Sequence, residues 1–152
     1  MSIYIADTAK VIGNARITGN ARVEGNAQVL DDAQVHGNAV VRGISCAFGR
    51  AYVGGNAEVT GHAQVHGNAW IRNNAVVTDN AKVGGSAMVI DRAQVKGNAH
   101  VDGNAYVYGK AQVSGKAQVY GNAMVSGITL LEGDVTISDG WIKAVHWWKD
   151  IP

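Results

Sequence analysis

Val23-Glu24-Gly25-Asn26-Ala27-Gln28 and Val65-His66-Gly67-Asn68-Ala69-Trp70 are two copies of one phrase: a branched residue, a variable one, two corner residues, a small residue and a second variable one. Worked outward from these copies, the phrase runs from Asp7 to Ser138 as 22 consecutive hexads without an insertion or deletion. Counted from the corner, the first position takes 17 of the 20 glycines, and Asp7, Asp31, Asn73, Asp79 and Asp91 fill the rest. These are the residue types that tolerate turn dihedrals. The third position is Ala except at Ser45, Thr129 and Val135, and the fifth is Val or Ile except at Ala47 and Leu131. A period this regular dictates the architecture before any other feature is considered.

In Ala-x-Val-x the small and branched residues are two apart, so an extended chain points both to one side and the variable residues to the other. Each hexad therefore reads as a short strand plus a corner. A helix is excluded, because valine every six residues drifts around a 3.6-residue turn and each interior glycine would cost roughly 1 kcal/mol. An antiparallel meander is excluded because such short inward faces build no core. Coiling the chain stacks equivalent strands and pairs every backbone group with the coils above and below.

Composition agrees with one domain and narrows the function classes. The chain has 152 residues, 47% hydrophobic but only 7% aromatic, with thirteen Lys+Arg against twelve Asp+Glu. A net charge of +1 argues against a nucleic-acid surface. The lone Cys46 forms no internal disulfide, and MSIYIADTAK lacks the basic and long apolar regions of a signal peptide, so a cytoplasmic protein is expected. No apolar run approaches the ~20 residues of a spanning helix, and no membrane partner is expected.

The repeat resembles the hexapeptide-repeat family over residues 7–138. The resemblance implies an all-β, left-handed parallel β-helix: a triangular prism of about seven coils, three hexads per coil, over residues 1–138. Residues 139–152 are then a non-repeat C-terminal cap. Eleven second positions are Asn, including Asn14, Asn20, Asn26, Asn38 and Asn56, which fits a left-handed backbone position there and side-chain ladders along the edges. Gly-Asn-Ala-x-Val arrays of this regularity also resemble proteins of bacteria, prophages and phages. That likeness implies a structural or host-interaction component, virion-associated if phage-derived.

Three hexads per coil place residues 18 apart in one column. One face then carries Arg16, Gln34, Tyr52, Trp70, Met88, Tyr106 and Met124 in one row and Thr18, His36, Gly54, Arg72, Ile90, Tyr108 and Ser126 in the other. The next face, from Arg22 and Glu24 to Leu130 and Glu132, is polar apart from Val40, Val76 and Leu130. The third begins with Ile12, Leu30 and Phe48 and turns polar through His66, Gly84 and Asp102. Enrichment in Tyr, Trp and Met with few charges marks Tyr52, Trp70, Met88, Ile90, Tyr106, Tyr108 and Met124 as an interface with a second copy or another protein. The resemblance makes a homotrimer the expected assembly. In the tail, Trp141, Trp147 and Trp148 are read as capping the open end, where unpaired edges would otherwise polymerise.

The chemistry is sparse. Resemblance to hexapeptide acyltransferases implies a catalytic histidine acting as general base with acyl-CoA, for which His36, His62, His66 and His100 are the candidates. The protruding acceptor loop usual in those enzymes is missing from the repeat. Gly61-His62-Ala63-Gln64-Val65-His66-Gly67 looks like the histidine pair of γ-class carbonic anhydrases. That family, however, separates the pair by four residues rather than three, and its third histidine would fall near Gly25. A catalytic zinc needs three fixed ligands, so no metal is expected. The favoured reading is a non-enzymatic, self-associating scaffold without cofactor; the alternative is an acyl-CoA-dependent acyltransferase.

Overall fold

The computed structural model describes residues 2–143 and 147–149. It is a three-sided parallel β-solenoid, all-β among the described residues. Each regular hexad contributes one two-residue strand made of its fourth and fifth positions, as in Trp70–Ile71. Successive strands go to successive sheets, so each sheet collects every third one: nine strands in the first and eight in each of the other two. Every pairing between hexads is parallel and joins equivalent positions one full turn apart, for example Tyr52↔Trp70↔Met88. About eight turns result, one more than the hexads alone supply, because Tyr4–Ile5, Trp141–Lys143 and Trp147–Lys149 add strands at the two ends.

The interior is built almost wholly from the small and branched positions. The alanines and valines at these inward positions from Ala21 to Val125 are fully buried, with Ile71 and Leu131 the largest enclosed side chains. Backbone bonding is equally repetitive. Amides on either side of each inward valine donate to the next coil, as Trp70 N–H does to Ala87 O at 2.9 Å and Arg72 N–H to Val89 O at 3.0 Å. A third bond closes each corner, such as Asn38 N–H to Gly55 O at 2.7 Å. At the first turn Ile5 is in register with inward Val23 but remains exposed, because no coil lies over it.

One expectation is revised at the corners. The left-handed backbone conformation belongs to the first corner position, not to the asparagine at the second: Asp31, Asn73, Asp79 and Asp91 have φ of 60–63°, and the glycines in equivalent positions are also positive. The asparagines do build ladders, with Asn20, Asn38, Asn56 and Asn74 linked amide to amide at 3.1, 2.9 and 3.1 Å. The aspartates work differently. Carboxylates of Asp31, Asp79 and Asp91 accept from the amides of Gly49, Gly97 and Gly109 one coil on, at 3.0, 2.9 and 3.2 Å.

The break in the period at Asp139 is a contraction by one residue. Trp141, Ile142 and Lys143 pair with Met124, Val125 and Ser126, and Trp147, Trp148 and Lys149 pair with Leu130, Leu131 and Glu132, each with a step of 17. Asp139-Gly140 makes the shortened corner, with Gly140 at φ 87°. The tail strands thus prolong two of the sheets.

Candidate functional site

The third sheet carries the aromatic face. Its pairing puts Arg16, Gln34, Tyr52, Trp70, Met88, Tyr106, Met124 and Trp141 in one continuous column. Neighbours are held at the strand spacing of about 4.8 Å, so their rings meet. Tyr52 and Trp70 stack with centroids 5.2 Å apart, and the Arg72 guanidinium lies 5.7 and 5.5 Å from the two rings. His36 makes an edge contact with Tyr52 at 4.5 Å, and its Nε2 meets the tyrosine hydroxyl. Tyr106 packs against Tyr108 at 4.7 Å. Trp141 donates its indole N–H to Ser126 Oγ at 2.9 Å and sits beside Lys143.

All seven residues assigned to an interface from the sequence therefore lie on one wall. Trp70 and Met124 are exposed, and Tyr52, Met88, Ile90, Tyr106 and Tyr108 are half-buried against one another. The wall's charged residues are Arg16, Arg72 and Lys143, all cations. Trp141–Lys143 extends this sheet as an edge strand rather than lying across it.

The four described histidines do not converge. His36 is on the aromatic face, His62 is at a corner, and His66 and His100 lie on the second sheet's face. His66 stacks on Phe48 at 5.3 Å. His36 and His66 share a device that sequence reading missed: each lies over a glycine one coil on, Gly54 and Gly84, where an added Cβ would run into the imidazole. Gly54 and Gly84 are the two glycines in outward slots of the repeat, and that displacement from the corner was the available signal.

A second arrangement is visible only with side chains in place. His100 and Asp102 flank Val101 on one strand, and Gln118 and Tyr120 occupy the same slots one coil on. A cleft of about 460 Å³ opens between them, floored by Gly103 and Gly121. Among the described residues no group of three or more His, Cys, Asp or Glu is placed to hold a metal ion. Cys46 is half-buried with its thiol pKa raised by desolvation, the opposite of an activated nucleophile.

Trp141 is exposed at the end of the aromatic column, and Trp147 and Trp148 fall in register with Leu130 and Leu131 in the first sheet. No curated protein matches the chain. A family model described as the YdcK β-solenoid repeat matches residues 15–31 and 117–129, two stretches near opposite ends of the solenoid. Those matches, the in-register hexads and the three parallel sheets together show a three-sided β-solenoid repeat protein, consistent with a hexapeptide-type repeat.

Proposed function

We propose that the protein is a non-enzymatic scaffold that assembles with copies of itself through the aromatic face, as a trimer of parallel solenoids. The observation that carries this reading is the unbroken column from Tyr52 to Trp141, flanked by Ile90 and Tyr108, on a wall with no acidic residue. Rigid aromatic and methionine side chains with little charge are the composition of interface centres. Area is sufficient as well. The solenoid exposes 7705 Å² in all. One of its three walls therefore offers about 2000 Å², beyond the roughly 800 Å² per partner of a standard interface.

In this reading the strands bearing Trp141, Trp147 and Trp148 close the C-terminal end against further stacking of coils. A rigid rod with one adhesive wall suits a structural or host-interaction part of a phage or prophage particle, or a cytoplasmic scaffold.

Light scattering tests the proposal. The wild type is expected at three times its 15.9 kDa chain mass. Trp70→Asp places a carboxylate in the centre of the wall. Loss of an aromatic anchor costs about 2–4 kcal/mol, thirtyfold or more in association, so the variant is expected at the single-chain mass with its β-type spectrum intact. A monomeric wild type overturns self-assembly, and a Trp70→Asp protein that keeps the wild-type mass overturns this wall as the contact.

A further inference from the structure

The cleft on the second sheet's face owes its shape to how Asp102 is held. Its Oδ1 accepts from the Gly103 amide at 2.6 Å and lies 2.5 Å from where a Cβ on Gly85 would stand, so the carboxylate turns back into a corner that only glycine leaves open. This turn draws Asp102 away from Tyr120 in the next coil and leaves the space between them empty. The corner glycines floor that space, and a Cβ at Gly103 would come within 2.7 Å of Gly121 N. The volume of the cleft falls within the range of small-molecule sites, roughly 300 to roughly 1000 Å³.

The polar groups around it are left with capacity to spare. Asp102 Oδ2 is paired with His100 Nε2 at 3.3 Å, and the Asp102 side chain, 41% exposed, remains open to a further donor. Gln118 brings an exposed amide with both donors and an acceptor. Tyr120, 42% exposed, offers an aromatic face.

From this combination we infer that the cleft is a binding site for one neutral pyranose ring, free or at the end of a glycan. The C–H face of such a ring covers Tyr120, while its hydroxyls, each both donor and acceptor, give to Asp102 Oδ2 and take from or give to Gln118. Other ligand classes leave something unmatched. A cation would find a single carboxylate, Asp102, among the lining residues and would face the Gln118 N–H groups. An anion would face Asp102. A purely apolar ligand would bury the Gln118 amide unpaired.

This inference does not rest on self-assembly, and its test is separate. Methyl β-glucopyranoside, methyl β-galactopyranoside, methyl α-mannopyranoside and the methyl glycoside of N-acetylglucosamine are titrated into the isotope-labelled protein, with the amide signals followed by NMR. At least one is expected to shift the signals of His100–Gly103 and Gln118–Gly121 with millimolar affinity. Tyr120→Ala and Asp102→Asn are each expected to weaken that binding tenfold or more. Both side chains are outward, and the carboxamide introduced by Asp102→Asn retains an oxygen for the Gly103 amide, so the β-type spectrum should not change. The inference is overturned if none of the four glycosides moves these amides at tens of millimolar, if Tyr120→Ala binds as the wild type does, or if ethylammonium shifts the same amides where the glycosides do not.

Discussion

Replacing Gly67 with alanine isolates what a corner of this solenoid demands. Gly67 has φ 67°, and a Cβ built there would stand 2.7 Å from the carbonyl oxygen of Gly85 in the next coil. The left-handed conformation alone costs an L-residue about 1–2 kcal/mol. The contact adds to this, because that same carbonyl accepts the Asn68 amide at 2.7 Å and can withdraw only by straining a bond worth about 1 kcal/mol. Gly67→Ala is therefore expected to destabilise by about 2–3 kcal/mol. At Gly25 the nearest atom to the added Cβ, Gly43 O, is 3.1 Å away, a contact relieved by a smaller shift, so Gly25→Ala should cost less than Gly67→Ala, nearer the conformational part of about 1–2 kcal/mol. Gly67→Asp carries the same Cβ, but its carboxylate can take the position that Asp31 uses to bind the Gly49 amide on the same edge. About 1 kcal/mol should return. Guanidinium denaturation followed by far-ultraviolet circular dichroism ranks the three. If Gly25→Ala is as costly as Gly67→Ala, or if Asp at 67 is no better than Ala, the account of the corners is wrong.

Two neighbours on one strand test the division between inside and outside. Val77 is fully buried and Val76 stands on the outer wall. Val77→Ala removes two methyl groups from the core and should cost about 2–3 kcal/mol, whereas Val76→Ala should cost under about 1 kcal/mol; equal denaturation midpoints would contradict the register. Burial raises the Cys46 thiol pKa. Its alkylation by iodoacetamide should therefore be slower in the folded protein than in guanidinium, with a folded midpoint above the ~8.5 of a free thiol. The stabilising contribution of that protonated thiol is complete below the unfolded pKa and fades as pH rises through the folded one. Cys46→Ser should consequently flatten the alkaline decline in stability, and a folded midpoint at or below the free-thiol value would refute the desolvation argument.

The columns are legible in the sequence because nothing interrupts the count. Once three hexads make a turn, Tyr52, Trp70, Met88, Tyr106 and Met124 must align, and they do. What the sequence hides are features depending on a backbone angle or a side-chain direction. Asparagine at the second position suggests a left-handed residue, yet the first position takes that role, since its Cα packs directly against its equivalent in the next coil. Trp141 reads as the end of the repeat because it stands where a small residue belongs; shortening the corner by one residue moves it to an outward slot and restores Ile142 to the inward one. The cleft beside Tyr120 is hidden for a similar reason. Asp102 and Tyr120 are adjacent in their column, and only the turn of Asp102 toward Gly103 separates them.

The three walls also provide an internal comparison that bears on function. All of them have the same strand length, the same parallel ladder and the same alanine and valine behind them. The second sheet meets those requirements with Lys10, Gln28, Gln64, Lys82, His100 and Gln118 in the outward row, so the strand itself has no need of large apolar residues there. The third sheet nevertheless places Tyr, Trp, Met and Tyr at consecutive turns. Stacking among these side chains hides part of their surface but leaves Trp70 and Met124 exposed, and apolar area held in water is unfavourable until something covers it. Cross-strand stacking contributes to folding at these slots, but it leaves the exposed faces of Trp70 and Met124 unaccounted for. The proposed assembly would cover that surface, because copies of the same flat, rigid wall can meet without any rearrangement of the solenoid.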